Sequence, residues 1–141
     1  MSSAPKQTTA TIIPALRYVE AVSAIEWLCR AFGFEENLVV PGDNGSIAHA
    51  QLTFGNGMIM LGSVRADEFG ETIKQPADVG GAETQSPYVI VEDVDSHCEQ
   101  AKSAGATVTM EPVDQPHGGR FYSCRDLEGH HWNFGNYDPW E

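Results

Sequence analysis

Apolar and polar positions along the chain fall into two runs of the same shape. Thr11-Ile-Ile-Pro-Ala-Leu-Arg-Tyr18 is a β-rich run, and from Glu20 onward Ala21, Ile25, Leu28 and Phe32 recur at helical spacing until Gly33 stops them. Further along, Ser86-Pro-Tyr-Val-Ile-Val91 is again an apolar strand, after which Val94, Cys98 and Ala101 share one helical face and Gly105 closes the helix. At an offset of 73 residues Glu20 meets Asp93, Ser23 meets Ser96, Glu26 meets Glu99 and Ala31 meets Ala104. Three strand candidates follow each helix: 36–40, 47–54 and 58–61 in the first half, 107–111, 120–125 and 131–134 in the second. Gly55-Asn-Gly57 and Asp126-Leu-Glu-Gly129 supply tight turns between them. Both halves therefore read β-α-β-β-β. The expectation is one domain spanning 1–141, built of modules at about 10–63 and 86–138, with 64–85 as an aperiodic connecting loop able to cover a site.

One helix covers one face of a module's sheet and leaves the other bare, so two modules must combine. The predicted class is α+β, with two tandem βαβββ modules curving a mixed sheet around a trough. Side chains alternate along a strand, which says which residues line that trough. Val89 and Val91 suit the helix side, leaving Ser86, Tyr88 and Ile90 open; the offset then opens Ile13, Ala15 and Arg17. On the third strand Ala48, Ala50, Leu52 and Phe54 face inward, while Ile47, His49, Gln51 and Thr53 face out. The last strand buries Trp132 and Phe134 and presents His131, Asn133 and Gly135. Met58 and Met60 stand on the fourth strand.

Charge narrows the choice of partner. Eight Lys and Arg against twenty Asp and Glu leave a net charge of −12, and residues 86–141 hold ten of the acids and three of the bases. Nucleic acid and anionic membrane surfaces need clustered cations and are not expected partners; the acidic excess reads first as a solubility-giving surface and second as attraction for a cationic ligand or partner. Three cysteines, Cys29, Cys98 and Cys124, without a CxxC pair, imply neither a disulfide framework nor a thiolate zinc site. With a polar N-terminus and no run of 18 apolar residues, the expected location is cytoplasmic.

The duplicated pattern resembles the vicinal oxygen chelate superfamily, which includes glyoxalase I, bleomycin and fosfomycin resistance proteins and extradiol dioxygenases. The telling stretches are Ala15–Phe34, Val91-Glu-Asp-Val-Asp95 and Gly118–Phe134, the last with Leu127 where the family usually has Pro. The resemblance implies the fold and, in metal-dependent members, a divalent ion held by His, Glu or Gln from the first, fourth, fifth and eighth strands. Carried over, those positions fall on Ile13, Met60 (within Met58–Leu61), Ser86 and Asn133, a set poor in hard-metal ligands.

No metal or other cofactor is therefore expected, and the preferred function is a metal-independent small-molecule binding protein like the drug-sequestering branch, acting as a homodimer. Its expected ligand-binding residues are Arg17, His49, Gln51, Met58, Met60, Tyr88, His131 and Asn133. Arg17, projecting into the trough, needs a partner: Glu35 or Glu36, or a ligand carboxylate or phosphate. If a side chain takes it, a cationic aromatic ligand stacking on Tyr88 is favoured. The alternative is a lyase, isomerase or dioxygenase with a metal relocated to His49 and His131. His97, on a helix, is expected to be solvated, and His117 lies in a turn. No Ser or Cys sits in a nucleophile elbow.

Overall fold

In the computed structural model, which describes Ser3, Ala4 and residues 7–141, the two halves repeat one topology. The first holds β1 (Ala15–Tyr18), α1 (Ala21–Phe32), β2 (Glu35–Pro41), β3 (Ile47–Phe54) and β4 (Gly57–Ser63). A short helix α2 (Glu68–Thr72) and a 3-10 turn (Pro76–Val79) follow. The second half holds β5 (Tyr88–Ile90), α3 (Val94–Ser103), β6 (Thr107–Asp114), β7 (Arg120–Arg125) and β8 (His131–Gly135). Each half makes a four-stranded mixed sheet, ordered β1-β4-β3-β2 and β5-β8-β7-β6, with the first strand of each parallel to the last and the rest antiparallel. The fold is thus the expected α+β pair of βαβββ units.

The offset of 73 holds at the level of single hydrogen bonds. Ala15 pairs with Met60 as Tyr88 pairs with Asn133, and Arg17 pairs with Gly62 as Ile90 pairs with Gly135. Pro14 and Pro87 precede the paired strands; each lacks an N–H but gives its carbonyl to an amide, Met60 in one half and Asn133 in the other. These prolines explain why β1 starts at Ala15 rather than Thr11, and β5 at Tyr88 rather than Ser86. The connecting stretch also departs from expectation, since it contains two short helices; five residues of α2 are too few to register as a periodic pattern.

One hydrophobic cluster joins residues of both halves. Phe32, at the end of α1, packs 4.7 Å from Phe134 and 5.4 Å from Trp132 of β8, and Phe34 packs 5.7 Å from Trp132 between ring centroids. Trp27 donates its indole N–H to the carbonyl of Ala104 at 2.6 Å. His97 is not solvated: it is half-buried among Phe32, Phe54 and Phe134, with Nδ1 2.6 Å from the Tyr122 hydroxyl and Nε2 2.8 Å from the Phe32 carbonyl. Ile47, expected outward, is buried with this cluster, its amide held by the Ser63 hydroxyl.

The turn Asp126–Gly129 fastens the second half to the first. Asp126 is buried and accepts four bonds: from the Tyr18 hydroxyl and the Trp132 indole on Oδ2, and from the Glu128 and His130 amides on Oδ1. Glu128 reaches back to accept from the amides of Val19 (2.6 Å) and Glu20 (2.8 Å), where α1 begins. Glu20 makes no capping bond with its own side chain, so a carboxylate from 108 residues away serves the start of that helix.

Candidate functional site

Pairing registers define the two open sheet faces. On the first, the rows run Ala15–Met60–Gln51–Leu38 and Arg17–Gly62, with His49 opposite Val40. On the second they run Tyr88–Asn133–Ser123–Met110 and Ile90–Gly135–Phe121–Val113. The eight expected ligand-binding residues are divided between these faces: Arg17, His49, Gln51, Met58 and Met60 on one, Tyr88, His131 and Asn133 on the other. His49 is engaged within its own strand, a ring nitrogen 2.9 Å from Oε1 of Gln51, whose amide nitrogen donates to Asn37. It lies on β3, two strands in from β1, and His131 lies on β8 of the other sheet.

The positions corresponding to the family's metal ligands do not fit a hard divalent cation. Ile13 offers hydrocarbon and Met60 a thioether. Asn133 has spent its amide: Nδ2 donates to the Ser86 hydroxyl (2.7 Å) and the Pro87 carbonyl (2.9 Å), and Oδ1 accepts from the Ser123 hydroxyl (2.7 Å). Among the described residues no three His, Cys, Asp or Glu groups are gathered as a metal would need.

What the second open face does carry is an aromatic cavity of about 330 Å³, walled by Tyr88, Phe121 and Tyr137, with His117, Arg120 and Pro139 around it. Tyr88 donates its hydroxyl to the Tyr137 carbonyl at 2.7 Å, and burial pushes its pKa up. Gly135 makes this placement possible: a Cβ there would lie 2.8 Å from the Tyr88 hydroxyl and 2.9 Å from the Arg120 carbonyl, so the ring crosses the strand only over a glycine. Tyr137 is fixed by His117, whose ring meets it edge-on at 4.8 Å. Arg120 is neutralised by Asp95 (3.1 Å) and Asp114 (3.2 Å), leaving the cavity without a free cation of its own.

Arg17 is 6% exposed and partnered otherwise than expected. Its guanidinium reaches Asp67 of the connecting segment at 3.4 Å, not Glu35 or Glu36, donates to the Ser63 carbonyl at 3.4 Å, and sits 4.7 Å from the centre of the Phe69 ring. The Gly70 amide (2.6 Å) foremost, then Arg65 (2.8 Å) and Arg17, hold the Asp67 carboxyl below the ordinary Asp range. Met58 and Tyr88 border a separate apolar cleft of about 420 Å³, together with Phe34, Phe54 and Trp132.

Sequence reasoning missed Phe121, His117 and Tyr137. Phe121 was accessible by alternation, because Tyr122 and Cys124 are buried and so turn Phe121 and Ser123 outward. Tyr137 lies beyond the end of β8 and had no such signal.

The protein belongs to the Glyoxalase/Bleomycin resistance protein/Dioxygenase superfamily, whose family profile matches residues 14–134. An uncharacterized protein of Mycobacterium bovis is 34% identical over 122 residues, covering 86% of this chain and 80% of that protein. The crystal structure of TioX from Micromonospora sp. ML1 is 34% identical and superposes with a TM-score of 0.71 over 90% of this chain and 98% of that one. A glyoxalase I mutant from Zea mays, at 19% identity, shares the fold, with a TM-score of 0.68 over 87% of this chain and 43% of that one.

Proposed function

We propose that this chain is a small-molecule binding protein of the superfamily that works without a metal, taking a flat, neutral or cationic aromatic ligand of drug-like size. The observation that carries this reading is the cavity of about 330 Å³ walled by Tyr88, Phe121 and Tyr137. Its size falls at the lower end of ligand pockets, and three rings offer stacking surfaces. Charge supports the cationic choice: Arg17 and Arg120 are both paired with carboxylates, and the chain carries −12 overall.

The sheet faces support a second copy as the partner. Leu38 and Val40 on one open face, and Ile90, Met110 and Val113 on the other, are exposed apolar residues in register with the site rows. A sheet face of this kind is covered by another element in a stable fold, and a homodimer supplies one. Closure by a second chain also enlarges the cavity and dries it.

The test uses Trp140, which is 92% exposed and follows the cavity residue Pro139. Titration with ethidium, a planar cation, is expected to change its fluorescence saturably and to depend on Tyr88. Tyr88→Ala should weaken ethidium binding by roughly two- to thirtyfold, the range a lost cation–π contact of about 0.5–2 kcal/mol predicts. Absence of saturable ethidium binding, or ethidium binding unchanged in Tyr88→Ala, would reject the reading.

A further inference from the structure

A cavity of about 510 Å³ lies between the halves, lined by β1, by the segment leading into β5 and by the start of β8. Its walls are polar in a way the aromatic cavity's are not. Arg17, Lys74 and His131 border it together with Glu83, His130 and Ser86. Three of these groups bear on the question of what it holds.

Arg17 is more than nine-tenths buried yet under-used. A guanidinium has five N–H donors; the hydrogen bonds it makes among the described residues are two, to Ser63 and Asp67, both at 3.4 Å. Asp67 depends little on Arg17, because Arg65 and the Gly70 amide hold it at 2.8 and 2.6 Å. An incoming anion can therefore take the guanidinium without orphaning Asp67. Lys74 enters the wall with no salt bridge among the described residues, and the His131 ring makes no hydrogen bond there. The acids nearby are committed: Glu83 bonds His130 Nδ1 at 2.8 Å and the His131 amide at 3.3 Å, while Nε2 of His130 faces the Arg17 carbonyl at 3.0 Å. In a chain with only eight Lys and Arg, two of them converge here with a histidine whose ring is free to donate.

We propose that this cavity is a second binding site, separate from the aromatic one, for the anionic oxygens of a small carboxylate or phosphate compound, held by Arg17, Lys74 and His131. Arg17 and Lys74 supply the charge. Glu83, bonded to the His130 ring and the His131 amide, ties the segment before β5 to the start of β8.

The experiment is a thermal-unfolding titration of the full chain with succinate and, separately, with inorganic phosphate, each against sodium chloride at matched ionic strength. A ligand of the folded state raises Tm saturably by mass action, which general screening does not do. The expected result is a saturable rise with succinate, phosphate or both, the responding arm naming the ligand class. Lys74→Gln, at an exposed position that leaves the fold intact, is expected to weaken that binding by five- to tenfold, and His131→Gln to weaken it as well. A response no larger than that of chloride, or saturable binding equally strong in Lys74→Gln and His131→Gln, would overturn the proposal.

Discussion

His97 shows how one residue can be misplaced by sequence and then become informative. It stands on the polar-looking side of α3, between Ser96 and Cys98, and nothing in the helix itself says that α1 packs across it. In the fold Nδ1 lies 2.6 Å from the Tyr122 hydroxyl, and Nε2 donates to the Phe32 carbonyl at 2.8 Å. Burial pushes its pKa down. A histidine with a depressed native pKa binds its proton more readily when unfolded, so its contribution is complete above the ordinary value of about 6.5 and is lost as pH falls below that. Stability should therefore fall between pH 7 and 5 more steeply in the parent chain than in His97→Gln, as read by urea unfolding at each pH. Equal slopes would remove His97 from the acid sensitivity. The Cys124 thiol, buried nearby in the same core, is pushed up to about 12 by desolvation and stays protonated throughout this range.

At the level of elements, strand and helix order was legible because periodicity and turn residues agreed in both halves. Pro14 and Pro87 trimmed the leading strands, a correction that the missing proline N–H explains. The open-face assignments of Tyr88, Asn133, Gln51 and His49 follow from alternation alone and match the registers. What alternation could not supply was the content of the connecting segment: α2 brings Asp67 and Phe69 onto Arg17, a contact between residues 50 apart. The start of α1 was legible, but the carboxylate that serves it was not, because Glu128 comes from the β7–β8 turn. Removing it tests that statement: Glu128→Ala should destabilise the chain by about 0.5–2 kcal/mol, the usual cost of losing an N-terminal cap. Denaturant midpoints compared with the control Leu127→Ala, a neighbouring exposed side chain, would measure it. A Glu128→Ala midpoint equal to the control's would mean that the two amides are as well served by water.

For the whole molecule, charge and unpaired apolar surface bear on the proposed homodimer. No helix among the described residues is long and apolar enough to cross a membrane. The exposed apolar residues Leu38 and Val40 of one sheet and Met110 and Val113 of the other are expected to be buried between two copies. Sedimentation equilibrium at micromolar concentration should give about twice the chain mass of 15.3 kDa, and Met110→Lys should shift the population toward monomer. A parent chain that sediments as a monomer would leave the open faces to the ligand alone.

The reach of Glu128 and β8 back to α1 bears on how the chain is made. Ribosomes release the first half long before the residues that complete it exist: Phe32 waits for Trp132 and Phe134, and the amides of Val19 and Glu20 wait for Glu128. At about 5–20 residues per second, that interval lasts on the order of ten seconds. Throughout it the nascent α1 carries Trp27, Leu28 and Phe32 without their final cover. Commitment to the native state thus waits for Glu128, Trp132 and Phe134, and a chain that stops before β8 leaves an adhesive helix rather than half a protein.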